Sequence, residues 1–196
     1  MATNWNSVIR KMVIACMCIE CIRLSIRGFS WKPAWIETSF QVFVELLLMN
    51  IYIFLDGYLR TIHIKRPLML FVAVIQFLDI LVSFMYCHFQ TYAYAFYIFA
   101  ILVFLESIFD FIIGLRLKEN NRHAIAQMGW AFINYAIVNT ALMFFNFFIG
   151  SRFRIPSWGV ILMVAISSFA ELYLLFFIQR IFTNKSNNQN LWYNDK

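Results

Sequence analysis

The sequence predicts an all-α protein, a polytopic transmembrane helical bundle whose helices are joined by short loops. Of its 196 residues, 62% are hydrophobic and 13% are charged, too few polar groups to solvate a globular domain of this size. Apolar runs of 20 or more residues recur, and each matches the ~20 residues that a helix needs to cross a ~30 Å hydrocarbon core. The runs are rich in Phe and lack a period-2 alternation, which argues against a β-barrel.

Six apolar runs are candidate spans. The first, residues 8–29, is the weakest because it contains Glu20, Arg23 and Arg27, and five spans remain if it lies in the membrane interface instead. The clearer runs cover residues 34–55, 67–86, 91–115, 124–150 and 158–182.

The connections between these runs are short. Residues 88–90 and 151–157 leave room only for antiparallel helical hairpins. We therefore expect residues 1–182 to form a single transmembrane domain. Residues 183–196, rich in Asn and Lys, are expected to be a disordered cytoplasmic tail.

The basic residues predict the orientation, because Lys and Arg in short loops are retained on the cytoplasmic side. With six spans and both termini cytoplasmic, eleven basic residues lie inside: Arg10, Lys11, Arg60, Lys65, Arg66, Arg116, Lys118, Arg122, Arg180, Lys185 and Lys196. Four lie outside: Arg27, Lys32, Arg152 and Arg154. If the first run does not cross, the contrast falls to nine against seven. Six spans are therefore the better prediction, in a membrane that the sequence does not identify.

Six of the ten acidic residues lie near the middle of apolar runs: Glu20, Glu45, Asp79, Glu106, Asp110 and Glu171. At the hydrocarbon centre each ionised acid costs roughly 2.5–3.5 kcal/mol on insertion scales. Further polar residues share a helix face with them, as Gln41 does with Glu45 and Gln76 with Asp79, and Asn139 stands on the fifth run. Since polar atoms in hydrocarbon need partners, we expect all these side chains to form one intramembrane polar cluster at the bundle axis.

Two local patterns refine this prediction. Arg23 follows Glu20 by three residues, which suits an ion pair on one helix face, although Arg23 could instead extend to the outer surface. Phe-x-Glu recurs on the even-numbered runs with its acid at Glu45, Glu106 and Glu171. A threefold repeat of a helical hairpin would produce this recurrence, and so would equal span lengths in a chain rich in Phe.

No pattern in the sequence predicts a metal, a cofactor or catalysis. Cys16 and Cys18 point about 200° apart on a helix, so with Cys21 they cannot converge on one ion, and we expect free thiols. The sequence contains no His-Glu-x-x-His motif, Gly-x-Ser-x-Gly motif or phosphate-binding glycine loop. We expect no enzyme, although acids alone can catalyse lipid or sterol isomerisation in a bilayer pocket.

Two fragments resemble the tryptophan-rich translocator proteins, five-span binders of porphyrin and cholesterol. They are Ser-Trp-Lys-Pro-Ala-Trp at 30–35 and Gln-Met-Gly-Trp-Ala at 127–131. The resemblance covers about eleven residues, lacks the Trp-Pro-Pro stretch of the family, and has an additional span between the fragments. It does not assign the chain to the family, but it implies a lipid or sterol ligand as one alternative.

The leading functional hypothesis is a non-enzymatic accessory or organising subunit that packs against other membrane proteins or copies of itself. The alternative is a proton- or cation-coupled transporter or channel that uses Glu45, Asp79, Glu106, Asp110 and Glu171. The formal charge of +6 indicates no nucleic-acid partner, since the basic residues lie almost wholly in the short connections. The partners that the sequence predicts are the lipid bilayer and other membrane helices.

Overall fold

The computed structural model describes residues 5–27, 34–61, 68–89, 92–146 and 157–187, and it is all-α. Its helices are α1 (Trp5–Arg27), α2 (Ala34–Thr61), α3 (Leu68–Phe89), α4 (Tyr92–Lys118), α5 (His123–Phe144) and α6 (Ser157–Asn187). Each helix contacts the next in antiparallel orientation, and α1 also contacts α6. The described helices therefore form a closed ring in chain order. The predicted all-α fold with antiparallel hairpins is confirmed.

Among the described residues, three helices are long and apolar enough to cross a membrane, at Thr38–Thr61 in α2, Tyr97–Lys118 in α4 and Ile161–Phe182 in α6. A shorter apolar segment, Leu68–Phe84, lies in α3. Several such segments in one chain suggest a multi-pass membrane protein.

The helices extend beyond the apolar runs. The second run ends at residue 55, whereas α2 continues to Thr61, and in this extension Arg60 Nε lies 2.6 Å from Asp56 Oδ2. A helix can continue past the hydrocarbon because its polar side chains are solvated at the interface. Helix α6 runs to Asn187, so residues 183–187 of the predicted tail are helical. The predicted positions 28–29, 67, 91, 147–150 and 188–196 lie outside the described residues.

An apolar core fills one half of the ring. We call this half the packed end; α1, α3 and α5 begin there, and α2, α4 and α6 end there. Its fully buried side chains include Ile9, Val13, Leu55, Leu59, Met69, Val72, Ile113, Leu117, Met128, Phe132, Leu174, Leu175 and Ile178. Close packing of branched and aromatic side chains from all six helices closes the ring there.

Helices α4 and α5 approach closely at two glycines, Gly114 and Gly129. A Cβ atom at Gly114 would lie 2.7 Å from the carbonyl oxygen of Gly129, and one at Gly129 would lie 2.7 Å from the carbonyl oxygen of Gly114. Only glycine allows backbones to approach so closely. The tight turn after α4 supports this pairing, since Asn120 Oδ1 accepts a hydrogen bond of 3.0 Å from the Arg122 amide.

Candidate functional site

A cavity of about 320 Å³ lies on the ring axis, with side chains of all six helices in its wall. It extends from mid-helix toward the end where α2, α4 and α6 begin, which we call the cavity end. The lining residues are Arg23, Gln41, Val44, Glu45, Leu48, Gln76, Asp79, Phe99, Ala100, Val103, Glu106, Tyr135, Asn139, Leu142, Met143, Asn146, Met163, Val164, Ser167 and Glu171. At its other end, the cavity is closed by the apolar core of the packed end.

Most of the polar side chains singled out from the sequence line this cavity. They are Gln41, Glu45, Gln76, Asp79, Glu106, Asn139 and Glu171. The remaining two, Glu20 and Asp110, are fully buried but lie beside the wall rather than in it. The ring thus brings acidic groups from helices distant in sequence to one volume.

On the α2, α3 and α4 side, amide side chains bind the acids. Gln76 Nε2 donates a hydrogen bond of 3.0 Å to Glu106 Oε1, which links α3 to α4. Gln41 Nε2 donates one of 2.9 Å to Glu45 Oε1 within α2. Each amide therefore fixes one carboxyl oxygen at the cavity wall. Across the cavity, Ser167 Oγ of α6 donates to Asn139 Oδ1 of α5 at 3.1 Å.

A buried pair of polar side chains lies next to the cavity, toward the packed end. Tyr52 Oη donates to Asp110 Oδ1 at 3.0 Å and lies 3.2 Å from its Oδ2. The Tyr52 ring packs edge-on against Phe132, with their centroids 5.8 Å apart. Tyr52 is 1% exposed and Asp110 is 0% exposed, so this hydrogen bond lies between the polar cavity and the apolar core.

The α1–α6 side contains Arg23, the one basic side chain among the lining residues that the structure describes. Arg23 Nη2 lies 3.3 Å from Oε1 of the fully buried Glu20, and that same oxygen accepts a hydrogen bond from Ser168 Oγ. Cys16 Sγ is 4.0 Å from Glu171 Oε1. Arg23 is therefore already engaged by Glu20, and one arginine cannot neutralise all the acids around it.

Among the described residues that line the cavity, three buried oxygen atoms accept no hydrogen bond: Glu45 Oε2, Gln76 Oε1 and Asp79 Oδ1. All three belong to α2 and α3. Gln76 is 2% exposed and Asp79 is 5% exposed. A buried acceptor without a donor costs about 1–3 kcal/mol, so these atoms indicate a place for a molecule that carries hydrogen-bond donors.

Apolar side chains complete the wall. Phe99, Ala100 and Val103 of α4 lie in it. They are joined by Val44 and Leu48 of α2 and by Leu142, Met143, Met163 and Val164 of α5 and α6. The cavity is therefore lined by acids and amides together with hydrocarbon, as in many small-molecule sites.

The Phe-x-Glu recurrence has a structural counterpart. Its acids, Glu45, Glu106 and Glu171, line the cavity from the alternate helices α2, α4 and α6. The phenylalanines two residues before them face outward, with Phe43 61% exposed, Phe104 38% and Phe169 65%. Two residues on a helix differ by about 200°, so one motif supplies both an inner acid and an outer apolar group.

Several site residues were not among those predicted. Tyr135 and Ser168 are buried beside the acids, and Asp56 is a buried acid that pairs with Arg60 near the packed end. Tyr52, by contrast, lies seven residues after Glu45 on the same helix face, and the polar stripe through Glu45 predicts it. Ser168 has no such signal because serine is common in apolar helices.

The described residues contain no group of three or more His, Cys, Asp or Glu side chains placed to hold a metal ion. Cys16 is a buried free cysteine, and Cys18 and Cys21 are exposed free cysteines.

No protein-family model matches this chain, and the comparisons with curated proteins and with solved structures likewise gave no match.

Proposed function

We propose that all six helices cross the bilayer and that the protein binds a cation in the central cavity as a step in transport. The observation that carries this proposal is the convergence of Glu45, Asp79, Glu106 and Glu171 on a cavity whose described lining contains one arginine, Arg23, which is already paired. Acids at membrane depth are costly without positive charge. A bound cation would offset that cost.

The lengths of the shorter helices support six crossings. α1, α3 and α5 contain 23, 22 and 22 residues, and a 22-residue helix is roughly 33 Å long, enough for a ~30 Å core. Their outward side chains are apolar at mid-helix, for example Phe77 on α3 and Ile137 on α5, which are 48% and 53% exposed. Side chains of this kind suit contact with lipid rather than water.

The basic residues support an orientation with the packed end in the cytoplasm. Arg10, Lys11, Arg60, Arg116 and Arg180 are exposed on helix segments at that end. Positive residues next to a span are retained on the cytoplasmic side. In this orientation both termini are cytoplasmic and the cavity opens toward the opposite side of the membrane.

The inward polar side chains favour transport over the organising-subunit hypothesis. An accessory subunit that recognises partners through polar helix contacts needs such groups on its outer surface. Here the mid-helix acids line the cavity, and the outward neighbours Phe43 and Phe169 are apolar. Association with other membrane proteins stays a prediction. The cavity provides a specific site for the transport hypothesis.

Transport would require the packed end to open. Tyr52 and Asp110 lie between the cavity-lining acids and the apolar core of the packed end, which includes Phe132, and this arrangement supports a state that is closed at the packed end. We propose that these residues form the closed side of the path. Alternate opening of the two sides would then carry the cation across.

The experiment is a flux measurement on the full-length protein in liposomes, with protons, Na⁺ and 2-phenylethylammonium as separate test cations. At least one is expected to move, and Asp79→Asn or Glu106→Gln should reduce its flux at least about tenfold, because a neutral amide cannot balance a cation. Glu119→Gln, at an exposed turn residue, is the control and should retain the flux. Absence of flux for all three cations, or equal flux in all variants, would contradict the proposal.

A further inference from the structure

We infer that the cation is a primary organic ammonium with an apolar body, rather than a metal ion. This inference rests on the proposed function, because it concerns the same cavity. Three features carry it: unfilled acceptors among the lining residues, hydrocarbon elsewhere in the wall, and a volume larger than a bare ion needs.

The unfilled acceptors define the charged head of the ligand. Glu45 Oε2, Gln76 Oε1 and Asp79 Oδ1 are buried, lack donors among the described residues and belong to the contacting helices α2 and α3. Gln76 and Asp79 are neighbours on one helix face, three residues apart. A primary ammonium carries three N–H donors on one positive nitrogen, so its donors equal these acceptors in number. A quaternary ammonium has the charge but no N–H, and would leave all three acceptors unfilled.

The apolar lining residues define the body of the ligand. Phe99, Val103, Leu142 and Met163 present carbon to the cavity, and a fully hydrated ion would gain nothing from them. The volume of about 320 Å³ falls in the range of small-molecule sites, roughly 300–1,000 Å³. A dehydrated metal ion needs several ligands at short range, and the described residues offer no such group.

The proposal is tested by binding of three matched probes to the full-length protein in lipid nanodiscs, measured by calorimetry. The probes are 2-phenylethylammonium, its N,N,N-trimethyl analogue and the neutral 2-phenylethanol, which share one apolar body. The primary ammonium should bind at least about tenfold more tightly than either of the others, because only it supplies both charge and N–H donors. Equal binding of the trimethyl analogue, or of the alcohol, would overturn the proposal.

Two variants test where the charged head and the apolar body of the ligand bind in the cavity. Asp79→Asn should weaken binding of the primary ammonium about tenfold or more and reduce its preference over the alcohol. Ala100→Phe should block all three probes by filling the apolar side. Ile101→Phe, at a position 59% exposed on the outside of α4, is the control and should bind as the parent does. Thermal unfolding verifies that each variant is folded, and unchanged binding in a folded Asp79→Asn or Ala100→Phe variant would overturn the proposal.

The failure of this inference is distinguishable from the failure of the proposed function. Proton or Na⁺ flux that depends on Asp79 and Glu106 would support a cation site in the cavity. If 2-phenylethylammonium then neither binds nor reduces that flux, the inferred ligand class is wrong. If no cation binds or moves, both are overturned.

Discussion

Tyr52 of α2 donates a hydrogen bond of 3.0 Å to Asp110 of α4, although the two helices are separated in the ring by α3. Among the described residues, the backbones of α2 and α4 make no direct contact. The hydrogen bond therefore crosses the ring interior. It connects two walls of the bundle at the level where the cavity ends and the apolar core begins.

Replacement of Tyr52 by Phe should lower the free energy of unfolding by about 1–3 kcal/mol, because Asp110 then loses its buried donor while the aromatic packing on Phe132 is retained. Denaturation of the purified protein in mixed micelles measures this change. Tyr173→Phe removes a hydroxyl from a residue that is 44% exposed and should be nearly neutral. Equal stability of the two variants would show that the hydrogen bond contributes nothing.

The close contact between α4 and α5 predicts how glycine-to-alanine substitutions change the stability of the protein. Gly114→Ala and Gly129→Ala should each destabilise the protein, since a Cβ atom would approach the facing carbonyl oxygen to 2.7 Å and the helices would have to move apart. Gly57→Ala is the matched control, because a Cβ atom there meets nothing within 4 Å. It should be neutral or stabilising by roughly 0.5–1 kcal/mol through helix propensity. Thermal unfolding of the three variants gives the comparison.

Arg23 and Glu20 should be energetically coupled. Arg23→Met leaves Glu20 buried with only its serine hydrogen bond, and breaking a buried pair from one side typically costs about 3–5 kcal/mol. Because the Arg23 side chain is 15% exposed, we expect the lower part of this range. In the double variant with Glu20→Gln most of the loss should be recovered. A double-mutant cycle measures this coupling. If the losses of stability in the two single variants add up in the double variant, Arg23 and Glu20 are not energetically coupled.

Crossing of the bilayer by α3 can be tested with an introduced charge. Phe77→Arg places an arginine at an outward mid-helix position, where insertion should become less favourable by roughly 2.5–3.5 kcal/mol. Leu70→Arg, at an outward position near the helix start, should cost much less because the side chain can reach the interface. The membrane-integrated fraction after synthesis with microsomes measures both. Equal integration would contradict a spanning α3.

Much of the architecture was predictable because hydrocarbon imposes simple rules. Apolar runs of sufficient length gave the helices, and short connections gave the antiparallel hairpins. The helical spacing of Gln41 with Glu45 and of Gln76 with Asp79 indicated which faces are polar. The sequence alone could not locate the helix ends, because Asp56 and Arg60 continue α2 beyond the apolar run.

The cavity itself could not be predicted. Inward polar stripes are equally consistent with a solid bundle held by hydrogen bonds and with a ring around an open volume. The difference depends on how side chains fill the axis: Leu55, Met128 and Phe132 fill one half, whereas Ala100 and Val103 are too small to fill the other. Nor does helical periodicity identify partners on separate helices, such as Glu20 with Ser168.

The central claim is that water and cations enter the acidic cavity from the non-cytoplasmic side while the outside of the ring faces lipid. Val103 lines the cavity and Ile101, two residues away on α4, is 59% exposed on the outer surface. In a variant with the four native cysteines replaced by alanine, Val103→Cys and Ile101→Cys are treated with a membrane-impermeant cationic thiosulfonate. The expected result is rapid modification at position 103, slowed by 2-phenylethylammonium, and little modification at position 101. Faster modification at 101, or an inert cysteine at 103, would contradict the account.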